Sequence, residues 1–165
     1  RFRYLIADYL KSSSANIHAY IMGEHGDSSF VPWNHAYVGC KKIKDIMKDN
    51  HKPITALEDI HKGVVNAAYE IINKKKATYY GIGMGLNRIV RAILDNENSI
   101  LTVSTYLKDG DYGQDDVYIG VPAIVNSNGV RELLYLPLNE KEQAKLDEST
   151  RILKQMREES IDKLL

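Results

Sequence analysis

The stretch Gly23-Glu24-His25-Gly26-Asp27-Ser28 places an imidazole, two carboxylates and a hydroxyl within six residues. Glycines near the histidine leave it little side-chain cover and free the backbone for close approach to a ligand. An imidazole can give or take a proton at physiological pH, which suits general acid–base work. Glu24 and Asp27 put negative charge beside it. The same residue types also suit a polar surface turn, and loops of either kind lie at protein surfaces.

Other chemistries fit less well. His18, His25 and His35 are spaced by 7 and 10 residues, a pattern common zinc sites do not use, so no metal is expected. Ser28 and Ser29 stand too close in sequence to His25 to serve as its nucleophile, and the chain has no G-x-S-x-G elbow. Cys40, beside Val38 and Gly39, is expected to be a small buried residue. Gly81-Ile82-Gly83-Met84-Gly85 lacks both the third glycine of a dinucleotide loop, its place being taken by Leu86, and the strand that should precede it. These glycines are expected to allow tight packing at a helix entrance, which places any nicotinamide site outside this chain. The lysine runs 41–44 and 74–76 read as solvated faces, and the tyrosines lack the basic interleaving of a base-stacking surface.

The elements that must position this loop follow from periodicity. Phe2, Tyr4, Leu5, Ile6, Tyr9 and Leu10 make an apolar helical stripe that starts without a capping side chain, as if a helix of a longer chain had been cut open. Ser12–Ser14 breaks it, Ile17–Met22 reads as a short strand, and Gly23–Trp33 as a loop. Thr55 and Glu58 have capping-box spacing at the head of a helix that ends at Lys74–Lys76. A second helix carries Leu86, Ile89, Val90, Ile93 and Leu94.

The period then changes. Ile100–Leu107, Val117–Val125 and Val130–Leu136 read as strands of an antiparallel meander, with Asp109-Gly110 and Asn128-Gly129 as turns and Pro137 as the stop. Asn139 and Glu142 suggest a cap for a final helix whose inner face carries Leu146, Leu153 and Met156. The fold class is therefore α+β, with helices packed on a mainly antiparallel sheet.

Size and charge agree with one globular domain over residues 1–165. Hydrophobic residues make up 44% and charged residues 27%, a balance unlike that of disordered chains. Equal numbers of basic and acidic side chains, 22 of each, argue against nucleic acid as a partner. No apolar run approaches membrane-spanning length, and a single cysteine excludes an internal disulfide, so a cytoplasmic protein is expected.

Taken together, Arg1-Phe2-Arg3-Tyr4, Ile17-His18-Ala19-Tyr20, the 23–28 stretch and Ala77-Thr78-Tyr79-Tyr80-Gly81 resemble the C-terminal, substrate-binding half of bacterial-type L-lactate dehydrogenases along essentially the whole chain. The resemblance implies NADH-dependent, reversible reduction of pyruvate to L-lactate, a fermentative step of glycolysis. His25 matches the proton donor–acceptor and Arg1 the arginine that grips the substrate carboxylate. Thr78 matches a pocket residue near the methyl end of pyruvate. Arg3 and His18 match the pair that binds fructose 1,6-bisphosphate between subunits in allosteric members. NAD as cofactor and a cytoplasmic homotetramer are implied in the same way. The family's NAD-binding Rossmann half is absent from the chain, as are the acidic partner of the catalytic histidine and the mobile loop that decides pyruvate against oxaloacetate. The isolated chain is therefore expected to be inactive. A malate or other L-2-hydroxyacid dehydrogenase, or a non-catalytic assembly or ligand-binding fragment, is the rival reading.

Overall fold

Two units, each with its own buried apolar residues, make up the chain, and the computed structural model describes residues 1–160. Residues 1–20 and 31–82 form one unit; residues 21–30 and 83–160 form the other.

In the first unit, α1 (Phe2–Leu10) buries Phe2, Ile6 and Ala7, the i, i+4, i+5 face of its apolar stripe. It has no side-chain cap at its start, as the sequence suggests, and ends on Lys11 in the left-handed conformation. Phe2 meets Trp33 at a ring-centroid distance of 5.8 Å and the edge of His61 at 6.3 Å. Three two-residue strands, β1 (Ile17–His18), β2 (Tyr37–Val38) and β3 (Lys41–Lys42), pair antiparallel in that order. The helices α2 (Ile43–Asp49) and α3 (Thr55–Lys75) follow.

Several expectations are corrected here. The strand expected at 17–22 ends at His18. Cys40 is exposed, because it forms the tip of the β2–β3 hairpin with Gly39, whose φ of +57° turns the chain. Thr55 and Glu58 form no capping box: Ile54 occupies the cap without a side-chain bond, and the Glu58 carboxylate instead accepts from the Trp33 indole N–H at 2.8 Å. A buried indole needs an acceptor, and that demand outweighs a helix-end amide that water can satisfy.

The helix α4 (Tyr79–Leu94) starts earlier than its apolar pattern suggests and takes in Gly81, Gly83 and Gly85. A Cβ on any of the three would meet nothing within 4 Å, so the expected tight packing around them is not found.

In the second unit, β4 (Ser99–Leu107), β5 (Val117–Asn126) and β6 (Gly129–Leu133) form the antiparallel meander in sequence order. On β5, Val117, Ile119, Val121, Ala123 and Val125 are buried, the period of two that a one-sided core face requires. Asp109-Gly110 does turn, with φ of +54° and +81°, but a further turn at Asp111–Gly113 lengthens the connection before β5. The third strand ends at Leu133, short of Pro137, where the Leu134 and Leu136 backbone is held by the Tyr112 hydroxyl at 3.0 and 2.8 Å.

Helix α5 (Glu140–Ser160) opens on a true capping box. The Asn139 N–H donates to Glu142 Oε2 at 3.1 Å, and the Glu142 N–H to Asn139 Oδ1 at 3.0 Å. Leu146 is fully buried against the sheet and Leu153 packs beside it, whereas Met156 is 51% exposed and is not part of the inner face. Thr150 on this helix is buried with no partner for its hydroxyl among the described residues. A buried donor left unpaired costs about 1–3 kcal/mol. Thr150→Val keeps the shape and removes the hydroxyl, so it is expected to raise stability by about 1 kcal/mol. The shift of the denaturation midpoint checks this, and a lower midpoint would mean the hydroxyl is satisfied in solution.

Candidate active site

The 23–28 loop belongs to the second unit and is held there by backbone at its root. Met22 and Phe30 exchange two N–H···O bonds of 2.8 and 2.9 Å, closing the loop, and both side chains are buried in the core with Val121 and Leu146. One residue on, Gly23 exchanges two bonds with Gly120 of β5, at 2.9 and 3.0 Å. The loop's first limb is thus an extra rung on β5. Glycine is required at both positions. A Cβ on Gly120 would lie 2.8 Å from the Gly23 carbonyl oxygen, and Gly23 itself has a φ of +99°.

Above the root the chain curls back on itself. The Ser28 hydroxyl donates to Glu24 Oε2 at 2.5 Å, which draws the Glu24 carboxylate across Gly26. A Cβ on Gly26 would fall 2.3 Å from the other oxygen of that carboxylate, so a larger residue there would push the Glu24 side chain aside. The Glu24 N–H donates to the Ser149 hydroxyl of α5 at 2.6 Å, and Ser149 Oγ lies 3.0 Å from Ser28 Oγ.

His25 stands on this tied turn and is exposed. Among the described residues its imidazole has no hydrogen bond or ion pair, and the carboxylate next to it in sequence is engaged with Ser28. Such a group can meet a ligand from solvent without first breaking a contact. A cleft of about 370 Å³ runs along the far limb, between Asp27, Ser28 and Ser29 and the Ala144, Lys145 and Glu148 side of α5; His25 does not line it.

The other residues singled out lie in the first unit. Arg1 is exposed at the cap position of α1, where only its carbonyl is used, accepting from the Leu5 N–H at 3.0 Å. Arg3 projects from the exposed part of the same helix. Burial pushes the pKa of the Tyr20 hydroxyl up, and the positive charge of Arg3 partly opposes this. His18 is exposed on β1, paired in register with Tyr37. Thr78 is half-buried just before α4, its carbonyl accepting from the Ile82 N–H at 3.3 Å. Sequence reasoning misses the two clamps on the loop, Gly120 and Ser149. Neither stands in a motif, and each acts from an element far along the chain.

No group of three or more metal-ligating side chains is placed to hold a metal among the described residues. Nor do they build a dinucleotide cradle. Gly81, Gly83 and Gly85 lie within a helix and not at a strand-to-helix turn.

The family model for the lactate/malate dehydrogenase alpha/beta C-terminal domain matches residues 1–164. The chain is 51% identical over 156 residues to L-lactate dehydrogenase 2 of Bacillus anthracis, covering 94% of this chain and 49% of that protein. It is 52% identical over 157 residues to the L-lactate dehydrogenase of Bacillus pumilus, covering 94% and 50%. Among solved structures it resembles MGS-M5, a lactate dehydrogenase from a Medee basin deep-sea metagenome library. There the TM-score is 0.91 at 48% identity, over 95% of this chain and 50% of that one. The chain therefore spans about half the length of the relatives it matches.

Proposed function

We propose a function from one premise: the chain belongs to the lactate/malate dehydrogenase family, as its alpha/beta C-terminal domain. On that footing it carries the substrate site of an NAD-dependent L-lactate dehydrogenase that reduces pyruvate reversibly to L-lactate. The observation that supports this reading is His25, exposed and without a hydrogen-bond partner among the described residues, on a loop whose backbone is fixed at Met22, Gly23 and Glu24.

Reduction at the keto carbon leaves negative charge on its oxygen. A protonated His25 imidazole hydrogen-bonded to that oxygen stabilises the charge as it develops and then supplies the proton. In the reverse direction the neutral ring takes the hydroxyl proton of lactate. Arg1 holds the substrate carboxylate with the two parallel N–H donors of its guanidinium, fixing which carbon is presented. Thr78 borders the methyl end. The described residues build no dinucleotide cradle, and the NAD site is proposed to lie outside residues 1–165, which alone are expected to turn nothing over.

Arg3 and His18, both exposed in the first unit, are proposed to bind a phosphate of fructose 1,6-bisphosphate between two subunits of a homotetramer. A cytoplasmic location is proposed with it, and no described helix is long and apolar enough to cross a membrane.

The test is NADH oxidation by the full-length protein with pyruvate against oxaloacetate, with and without fructose 1,6-bisphosphate. A strong pyruvate preference is expected, with activation that Arg3→Gln or His18→Ala abolishes while saturated turnover stays. Preference for oxaloacetate would make the enzyme a malate dehydrogenase. Activation surviving both substitutions would move the effector site elsewhere.

A further inference from the structure

We propose that Ser149 of α5 is a positioning residue for proton transfer, an inference that rests on the reading of His25 given above. Its side chain is fully buried, with 0% exposure, and faces the loop rather than its own helix. The direction of each bond follows from a count of protons. Ser28 spends its one hydroxyl proton on Glu24 Oε2. The 3.0 Å contact between the two serines must then carry the Ser149 proton to Ser28 Oγ. A lone pair of Ser149 takes the Glu24 N–H at 2.6 Å. One hydroxyl therefore fixes the backbone immediately before His25 and, through Ser28, the carboxylate that closes the turn around Gly26.

The glycine at 23 serves the same arrangement. A Cβ there would lie 2.8 Å from Ser149 Oγ, so only glycine leaves room for this serine to reach the loop. The hydrogen bonds of Ser149 run to Glu24 and Ser28, and not to the residues proposed above to hold the substrate carboxylate and methyl end. Loss of its hydroxyl loosens the peptide that carries the imidazole and leaves the carboxylate grip of Arg1 intact. A misplacement of about 1 Å at a reacting group can cost around 100-fold in rate.

The experiment is steady-state reduction of pyruvate by the full-length protein carrying Ser149→Ala, His25→Asn, or both. Ser149→Ala is expected to lower kcat by about 10- to 100-fold with little change in the KM for pyruvate. In the His25→Asn background it should cost nothing further, because its effect passes through the imidazole. Ser149→Cys, close in size but a weak hydrogen-bonding partner, should follow Ser149→Ala and carries the comparison if alanine prevents folding. Full kcat in these Ser149 variants, or the same fractional loss with and without His25, overturns the proposal while the role of His25 stands. Full activity of His25→Asn alone overturns that role, and this inference with it.

Discussion

Exchanging His25 for asparagine in the full-length protein is expected to lower kcat/KM for pyruvate reduction by about 10²- to 10⁴-fold, the range a positioned general acid contributes. Asparagine keeps much of the size and can still donate a hydrogen bond from its amide, but it has no proton to give. The fold should survive, since His25 is exposed and makes no hydrogen bond among the described residues. Circular dichroism and the thermal midpoint check that point. The unsubstituted enzyme adds a test of sign. If His25 has the role proposed for it, only the protonated ring serves reduction, so pyruvate reduction should slow as pH rises, while lactate oxidation, which needs the neutral ring, should quicken. Rates that move together in both directions would remove His25 from the proton path.

The second large effect concerns Arg1. Arg1→Gln should raise the KM for pyruvate and lower kcat together, with a loss in kcat/KM equivalent to about 3 kcal/mol, or roughly two orders of magnitude. Arg1→Lys should recover only part of this, because an ammonium keeps the charge and loses the two-pronged geometry that orients the keto carbon. Helix α1 should not suffer. Its first turn uses the Arg1 carbonyl, which every substitution keeps, and the side chain makes no capping bond. An unchanged KM in Arg1→Gln would assign carboxylate recognition to a different residue.

Local patterns reveal local structure, and this chain shows where that stops. The β4–β6 meander is legible because alternation of apolar residues along Val117–Val125 and the Asn128-Gly129 turn point to one arrangement. The caps make an instructive pair. Thr55/Glu58 and Asn139/Glu142 have the same spacing, yet only the second forms a box, because the Trp33 indole claims Glu58 from outside its own helix. A competitor of that kind has no trace in a short window of sequence. The site divides in the same way. His25 stands out by its neighbours, whereas Ser149 looks like any helical serine until the fold brings it to the loop. Cys40 misleads because its apolar neighbour Val38 suggests burial, whereas the turn at Gly39 decides its exposure.

The clamp on the loop also has a consequence for the order of events during synthesis. Glu24 and Ser149 are 125 residues apart, so the loop emerges from the ribosome long before the hydroxyl that fixes it. At a few to about twenty residues per second, that interval is of the order of ten seconds. Throughout it the nascent His25 segment lacks its serine tie, and for most of it also its β5 rung. The 23–28 loop can be tied in the way described above only after the chain has been translated as far as Ser149. A ribosome stalled between β4 and α5 would hold a chain that contains His25 but lacks the Ser149 tie on its loop.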